Sequence, residues 1–304
     1  MKKSKSIDVK LFRIEGDLVP FVEVSYLDKQ NKNSKGLFLI DSASTDNFLS
    51  KEIVDKAVEI RKIEGKKTNI QTIANEFISA ENVNFSFCIG EHPLQDVFCI
   101  ATKAFPARVV GEEVLGILGL KFLRTYAMVL DYSNFTLHTS CLDQASFNPA
   151  ECEYFFPMQL GLDYYGLPVV CLKQNGKEIV TLIDTGATNN IIAEKTVTEN
   201  SFICTRLQEK EIINGISGSF EAENAIIRFN LMSLTAEEST EIEKRGRFSI
   251  SPHYIYQPSQ DECKSAGEQL PPIEGLLAAP FIAENRWVMD FKAGIVYKNK
   301  CGKA

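Results

Sequence analysis

The sequence predicts a mainly β protein made of two similar lobes, each carrying a few short helices. Two observations lead to this fold class: one set of sequence landmarks occurs twice in the same order, and most apolar runs have the composition of strands. A chain of 304 residues has room for two lobes of the usual domain size, roughly 100–150 residues each.

The clearest landmarks surround two aspartates. GLFLIDSASTDNFLS contains Asp41 and VTLIDTGATNNIIAE contains Asp184, and these residues lie 143 positions apart. TIANEF and GISGSF recur at the same separation, and residues 116–138 align without a gap to residues 275–297. Matching landmarks in the same order, with small drifts in spacing, indicate a tandem duplication.

The drift in spacing divides the chain. We predict one lobe at residues 1–150 and a second at 151–304. The separation of the repeats grows from 142 to 159, which places about 17 extra residues around 232–272. That stretch is polar, charged and proline-bearing, so we expect it to be largely a surface excursion, with EESTEIEKRGR as a solvated loop.

Within each repeat the pattern favours strands. FVEVSYL, LFLI, VNFSFCI and VFCIA are short, rich in β-branched and aromatic residues, and bounded by turn formers. Brief helices are predicted near residues 51–60, 119–126, 194–200 and 278–285. Each repeat is therefore an all-β lobe with a few short helices.

Composition excludes several classes of protein. A net charge of −7 and a pI near 5.2 argue against a nucleic-acid or anionic-membrane surface. No apolar run approaches the roughly 20 residues that span a bilayer. The basic start lacks the apolar stretch of a signal peptide, so we expect a cytoplasmic protein as written, and an exported one if the N-terminus was trimmed.

Cysteine and histidine spacing predicts neither a metal site nor a cofactor. The eight cysteines show no C-x-x-C spacing and the three histidines are isolated, so a zinc site or a redox pair is unsupported. Without an export signal, free thiols are expected.

Each aspartate follows an apolar run and precedes a small hydroxyl residue. This pattern delivers a carboxylate to a tight turn at a dry interface, which is costly unless the charge is hydrogen-bonded or neutralised. If a pseudo-twofold axis relates the lobes, Asp41 and Asp184 meet there and share a proton. One carboxylate can then activate a water while the other polarises a carbonyl.

These residues resemble the active-site triplets of aspartic peptidases. The triplets are Asp41-Ser42-Ala43 and Asp184-Thr185-Gly186, and Gly116-Ile117-Leu118-Gly119 resembles the element that supports the triplet in the same lobe. Each repeat is similar to a retropepsin subunit, and the two are fused as in the bilobal pepsin arrangement. The resemblance covers roughly residues 19–138 and 167–297.

The resemblance implies a bilobal acid-protease fold of two retropepsin-like β-barrels and an aspartic endopeptidase that hydrolyses extended peptides. It implies Asp41 and Asp184 as catalytic residues, with Ser42 and Thr185 hydrogen-bonding across the interface. The expected partner is a peptide or protein substrate, and the expected assembly is a monomer with an internal pseudo-dimer. Flaps over the cleft would lie at Ile73, Ala74 and Asn75 in the first lobe, and at Ile216, Ser217 and Gly218 in the second.

Two departures leave an alternative open. Ala43 replaces the usual glycine beside the first aspartate, and Ala278 stands where the first lobe has Gly119. An added methyl at a close-packed position costs about 1–3 kcal/mol when the fit is strained. The alternative is a catalytically impaired protease-like module that binds peptides, and a weaker third is an interaction scaffold that uses residues 232–272.

Overall fold

The computed structural model describes residues 7–13, 18–58, 60–71, 77–101, 108–109, 112–139, 147–158, 166–199, 203–215, 218–235, 238–258, 260, 263–264 and 270–300. Strands dominate these residues and the helices among them are short, which confirms the mainly β class. Within the described part of the chain, no helix is long and apolar enough to cross a membrane.

The first half forms a closed ring of six strands. Its order is β2-β3-β9-β4-β7-β6, and β6 pairs back with β2 to close the barrel. Most neighbours are antiparallel, but β3–β9 and β4–β7 are parallel. The strands are β2 (Phe21–Leu27), β3 (Asn33–Ile40), β4 (Asn47–Ser50), β6 (Phe77–Ile89), β7 (His92–Ala101) and β9 (Glu112–Leu118).

The second half repeats the same ring of pairings. The order is β13-β14-β19-β15-β18-β17, closed by β17–β13, and the parallel pairs are again the second with the third and the fourth with the fifth. Each aspartate therefore lies at the C-terminal end of the second strand of its ring. The strands are β13 (Val169–Gln174), β14 (Lys177–Asp184), β15 (Asn190–Ala193), β17 (Gly218–Leu234), β18 (Ser239–Ser251) and β19 (Gly275–Ala278).

In each ring, the sixth strand also forms a hairpin with the strand that precedes it in the chain. β5 (Ile60–Gln71) pairs with β6, and β16 (Ile203–Gly215) pairs with β17. Both pairings contain a register shift, after Lys62 and after Arg206. The short strand β8 (Arg108–Val109) pairs with the start of β9.

A further antiparallel run of strands joins the two halves in the order β1-β11-β10-β20-β21-β12. At its centre Leu130 of β10 pairs with Met289 of β20, its partner in the sequence repeat 159 positions away. This pairing places a pseudo-twofold axis between the two residues. The strands are β1 (Asp8–Lys10), β10 (Met128–Asp131), β11 (Thr136–Thr139), β12 (Cys152–Pro157), β20 (Val288–Asp290) and β21 (Ile295–Asn299).

The four short helices expected from the sequence are present. They are α1 (Lys51–Lys56), α2 (Leu120–Thr125), α3 (Glu194–Glu199) and α4 (Ala279–Glu284), and a 3₁₀ turn spans Pro149–Glu151. Each α-helix directly follows the fourth or third strand of a ring. Helices α2 and α4 bury apolar side chains, such as Phe122 and Phe281, against the barrel cores.

Repeat-matched aromatic residues fill both barrels. Phe87 meets Phe98 edge to face in the first barrel, and Phe229 meets Phe248 edge to face in the second, with ring centroids 5.8 Å apart in both. Trp287 is fully buried, as expected of a core residue. Burying one such side chain stabilises the fold by roughly 1.5–3 kcal/mol, so these clusters stabilise both barrels.

Residues 239–251 correct the expectation of a loop. From Ser239 onward this segment forms strand β18, which pairs with β17 from Ser239 to Ile250 and belongs to the second ring. Four of its charged side chains occupy the exposed positions of an alternating strand, and the fifth, Lys244, is partly buried against Tyr154, so the charges do not mark a loop. Part of residues 232–272 therefore belongs to an extended hairpin of β17 and β18, where a surface excursion was expected.

The six cysteines within the described ranges are free thiols: Cys88, Cys99, Cys152, Cys171, Cys204 and Cys263. Burial raises the pKa of Cys99 to about 11, so its side chain is a neutral thiol that donates to Asn82 Oδ1 at 3.3 Å. Cys141 and Cys301 lie outside the described residues.

Candidate active site

Two parallel strand pairs deliver the aspartates to the interface between the halves. Strand β3 ends at Ile40, just before Asp41, and β14 ends at Asp184 itself. The Asp41 N–H donates to Leu118 O at 3.1 Å, and Asp184 is the register partner of Ala278. The strand that follows in each ring thus fixes the backbone on which each carboxylate is mounted.

Ser42 and Thr185 hold the two turns together through four reciprocal hydrogen bonds. The Ser42 N–H donates to Thr185 Oγ1 at 3.0 Å, and the Thr185 N–H donates to Ser42 Oγ at 3.1 Å. Each hydroxyl in turn donates to a carbonyl across the interface, to Ile183 O at 2.8 Å and to Ile40 O at 2.7 Å. Both side chains are fully buried, so water cannot replace any of these bonds.

The network obeys the pseudo-twofold axis. Every donor and acceptor in one half has its partner 143 positions later in the other half. The two aspartates precede these residues, and their carboxyl groups lie close enough for each to act on the pKa of the other. The structure therefore brings together the pair that the sequence repeat singled out.

Backbone N–H groups stabilise the carboxylates unequally. Asp41 Oδ1 accepts from the N–H groups of Ala43 at 2.9 Å and Ser44 at 3.0 Å. Asp184 Oδ1 accepts from the Gly186 N–H at 2.8 Å, with a weaker contribution from Ala187. Asp41 therefore accepts stronger backbone hydrogen bonding than Asp184.

Burial raises the pKa of both carboxyl groups. For Asp184, burial and then repulsion from the Asp41 charge hold the pKa well above its ordinary value. For Asp41, burial raises the pKa while the two backbone donors oppose the change. Two carboxyl groups in contact cannot both ionise readily, so the pair holds one proton over part of the pH range.

Gly186 makes room for the opposite carboxyl group. A Cβ built on Gly186 would lie 2.7 Å from Asp41 Cγ and 2.8 Å from Asp41 Oδ2. These separations are well inside van der Waals contact, so a side chain here would displace the carboxyl group. The residue that takes the equivalent place in the first half is Ala43.

Two asparagines complete the site, and sequence reasoning missed them. Asn47 Oδ1 accepts from the Gly119 N–H at 3.0 Å, and Asn190 Oδ1 accepts from the Ala278 N–H at 2.8 Å. Each side-chain amide also donates to a carbonyl of the ring's fifth strand. An identical residue six positions after each aspartate was the signal that could have found them.

Gly119 and Ala278 show how one half tolerates a methyl that the other does not. A Cβ on Gly119 would collide with the carbonyl oxygens of Ser44 and Asp46. Ala278 has almost the same backbone angles, but the facing bond from Ala279 N to Ala187 O is 3.1 Å, against 2.7 Å from Leu120 N to Ser44 O. The second half has opened slightly and buries the Ala278 methyl completely.

The expected flap residues fall mostly outside the described part of the chain. Ile73, Ala74 and Asn75 lie between β5 and β6, and Ile216 and Ser217 lie between β16 and β17. Gly218 is described and pairs with Gly215 at the end of the second hairpin.

Asp131 and Asp290, the other repeat-matched acids, stabilise turns. Asp131 Oδ1 accepts from the backbone N–H groups of Ser133 and Asn134, and Asp290 Oδ1 accepts from those of Lys292 and Ala293. They close equivalent hairpins far along the chain from the dyad.

No family model matches the sequence, and no curated protein matches it.

Proposed function

We propose that the protein is an aspartic endopeptidase with two retropepsin-like lobes in a single-chain, pepsin-like arrangement. One observation carries the proposal: the reciprocal hydrogen bonds of Ser42 and Thr185 hold Asp41 and Asp184 side by side on a pseudo-twofold axis. A structural protein gains nothing from two repelling, half-buried carboxyl groups, whereas a proton-transfer site requires them.

The chemistry follows from a dyad that holds one proton. A water between the carboxyl groups gives a proton to the ionised carboxylate while its oxygen attacks the peptide carbonyl carbon. The protonated carboxyl gives its proton to the carbonyl oxygen, which forms a neutral geminal diol. Transfer of the first proton to the amide nitrogen then breaks the C–N bond, and a diol hydroxyl returns its proton to the dyad.

The substrate would be an extended peptide. The hairpins β5–β6 and β16–β17 each extend beyond a ring, one in each half, and would flank a cleft above the dyad. An extended strand laid in such a cleft can pair with hairpin backbone groups. One chain supplies both carboxyl groups, so a monomer would suffice.

Separate substitution of the two aspartates tests this function. In Asp41→Asn and in Asp184→Asn, cleavage of a diverse peptide library should fall by at least about 100-fold, because each loses an acid–base group. Asp46→Asn, a matched change in the same turn as Asp41, should retain activity. A statine-type transition-state mimic should inhibit the wild-type protein. Absence of cleavage from acidic to neutral pH would end the proposal.

The second candidate is a peptide-binding module without activity, and the methyl of Ala43 beside the dyad favours it. It predicts that peptide affinity survives both asparagine substitutions and that Ala43→Gly yields no cleavage. Appearance of cleavage in Ala43→Gly would decide for the enzyme fold with a weakened dyad.

A further inference from the structure

The two turns of the dyad differ at one position. The pseudo-twofold axis sets Gly186 against the Asp41 carboxyl group, where a Cβ would come within 2.7 Å of Cγ. The same operation sets Ala43 against Asp184. Unlike Gly186, Ala43 carries a methyl group, so the two carboxyl groups have different neighbours.

The packing of Ala43 agrees with this placement. Ala43 is half-buried and contacts an apolar cluster of the second half that contains Leu182 and Ala278. Leu182 lies two residues before Asp184 on β14, and Ala278 is the register partner of Asp184 on β19. The Ala43 side chain therefore lies on the side of the dyad that belongs to Asp184.

A methyl group against a carboxylate takes the place of a solvating group. Apolar surroundings disfavour the charged form of an acid, and backbone N–H donors favour it. By the pseudo-twofold symmetry Asp184 faces the methyl, and it accepts one short backbone bond from Gly186 at 2.8 Å with a weaker contribution from Ala187, whereas Asp41 accepts two short bonds, at 2.9 and 3.0 Å. Both differences act in the same direction.

We propose that Ala43 is a positioning residue that makes the dyad asymmetric, so that Asp184 holds the shared proton and Asp41 is the ionised partner. Among the described residues, the charged group that acts on the pKa of Asp184 is Asp41, and the backbone N–H groups of Gly186 and Ala187 oppose it. Burial and the Asp41 charge raise the pKa of Asp184 well above its ordinary value, in keeping with this assignment.

The assignment gives each aspartate a separate role in catalysis, and only these catalytic roles rest on the proposed function. Asp41 would take the proton of the attacking water, and Asp184 would donate to the substrate carbonyl. The location of the proton is a property of the folded protein and exists whether or not a peptide is cleaved.

Carboxyl ¹³C NMR of the full chain, labelled at aspartate Cγ, tests the proposal without turnover. Spectra of Asp41→Asn and Asp184→Asn assign the two signals. In the pH range where the dyad holds one proton, the Asp184 signal should have the shift of a protonated carboxyl and the Asp41 signal that of a carboxylate. In Ala43→Gly the ratio of proton occupancy should fall by roughly tenfold, the change that one pKa unit represents.

Ala187→Gly is the matched control. It makes the same chemical change in the other turn, and Ala187 packs on the same apolar cluster, but its methyl is not the one that faces Asp184 by symmetry. The proton should stay on Asp184 in this variant. An equal shift in both variants would mean that loosening the site, not the methyl, moves the proton, and would overturn the proposal.

The wild-type titration decides the assignment even if Ala43→Gly fails to fold. A wild-type proton on Asp41, or one shared equally, would refute it. Asymmetry in the spectra of a protein that cleaves no peptide would instead uphold the assignment and refute the peptidase function.

Discussion

Gly186→Ala is the sharpest perturbation of the dyad. The new methyl would lie 2.7 Å from Asp41 Cγ, 2.8 Å from Oδ2 and 3.1 Å from Oδ1. Ordinary carbon–carbon contact begins near 3.5 Å, so the carboxyl group or the turn must move by roughly 0.8 Å. Neither can move freely, because two backbone N–H groups hold Asp41 and the turn follows the buried Thr185 network.

The expected loss follows from that displacement. Overpacking of a tight site costs about 1–3 kcal/mol in the free energy of unfolding. A misplacement of about 1 Å among reacting groups can lower the rate about 100-fold. We therefore expect kcat/KM for a peptide to fall about 100-fold, and denaturant unfolding to show the smaller loss of stability.

Gly275→Ala provides the comparison. A methyl there would meet Ile191 O at 3.3 Å and the Thr181 side chain at 3.4 Å, close to ordinary contact. It should change activity by less than about threefold, since a nearly unstrained Gly→Ala change costs little. If Gly186→Ala behaves like Gly275→Ala in both assays, the contact between Gly186 and the Asp41 carboxyl does not exist as described.

Three further predictions concern the frame and charge of the site. Thr185→Ala should lower the free energy of unfolding by about 1–3 kcal/mol for each buried partner left unsatisfied, as measured by denaturant titration. Thr185→Ser keeps the hydroxyl group and should therefore retain most of the wild-type stability. Asn47→Ala should cost about 1–3 kcal/mol in the same measurement, because the buried Gly119 N–H loses its acceptor. Asp184→Asn should stabilise the protein at neutral pH. The folded-state pKa of Asp184 is raised, so wild-type stability is full below the ordinary value of 3.8 and declines as pH rises through the folded pKa; the variant escapes that decline.

Each of these has a contrary outcome. An unfolding curve of Thr185→Ala identical to that of Thr185→Ser would show that the hydroxyl network does not contribute to stability. A loss in Asn47→Ala no larger than for an exposed asparagine would do the same for the bond to Gly119. A difference between wild type and Asp184→Asn that is largest at acidic pH would show that the sign of the linkage is wrong.

The repeat made most of this site predictable. The constant separation of 143 that links Asp41 with Asp184 also links Ser42 with Thr185, so one alignment placed all four side chains. The short helices were predictable for a similar reason, because each follows a strand at a matched place in both halves. Long-range pairing was thus inferred from symmetry rather than from local propensity.

The features that could not be predicted from the sequence depend on tertiary pairing. β18 has the composition of a loop, and it is a strand because β17 pairs with it and four of its five charged residues alternate toward solvent. Asn47 looks like an ordinary turn residue until its amide is seen bridging Gly119 N and Val97 O. The cost of the Ala278 methyl could not be judged either, since it depends on tenths of an ångström in the facing turn.

The pairing of Leu130 with Met289 has a consequence for how the two halves can change. Either half alone would expose an unpaired strand edge, β10 or β20, whose natural partner is a copy of itself in the same antiparallel register. Separate halves would thus tend to form symmetric dimers with two identical aspartates. A fused chain contains one copy of each half. A substitution in one half, such as Ala43 at the position of Gly186, therefore does not appear in the other half as it would in a symmetric dimer. The linked chain is free to specialise its two sides.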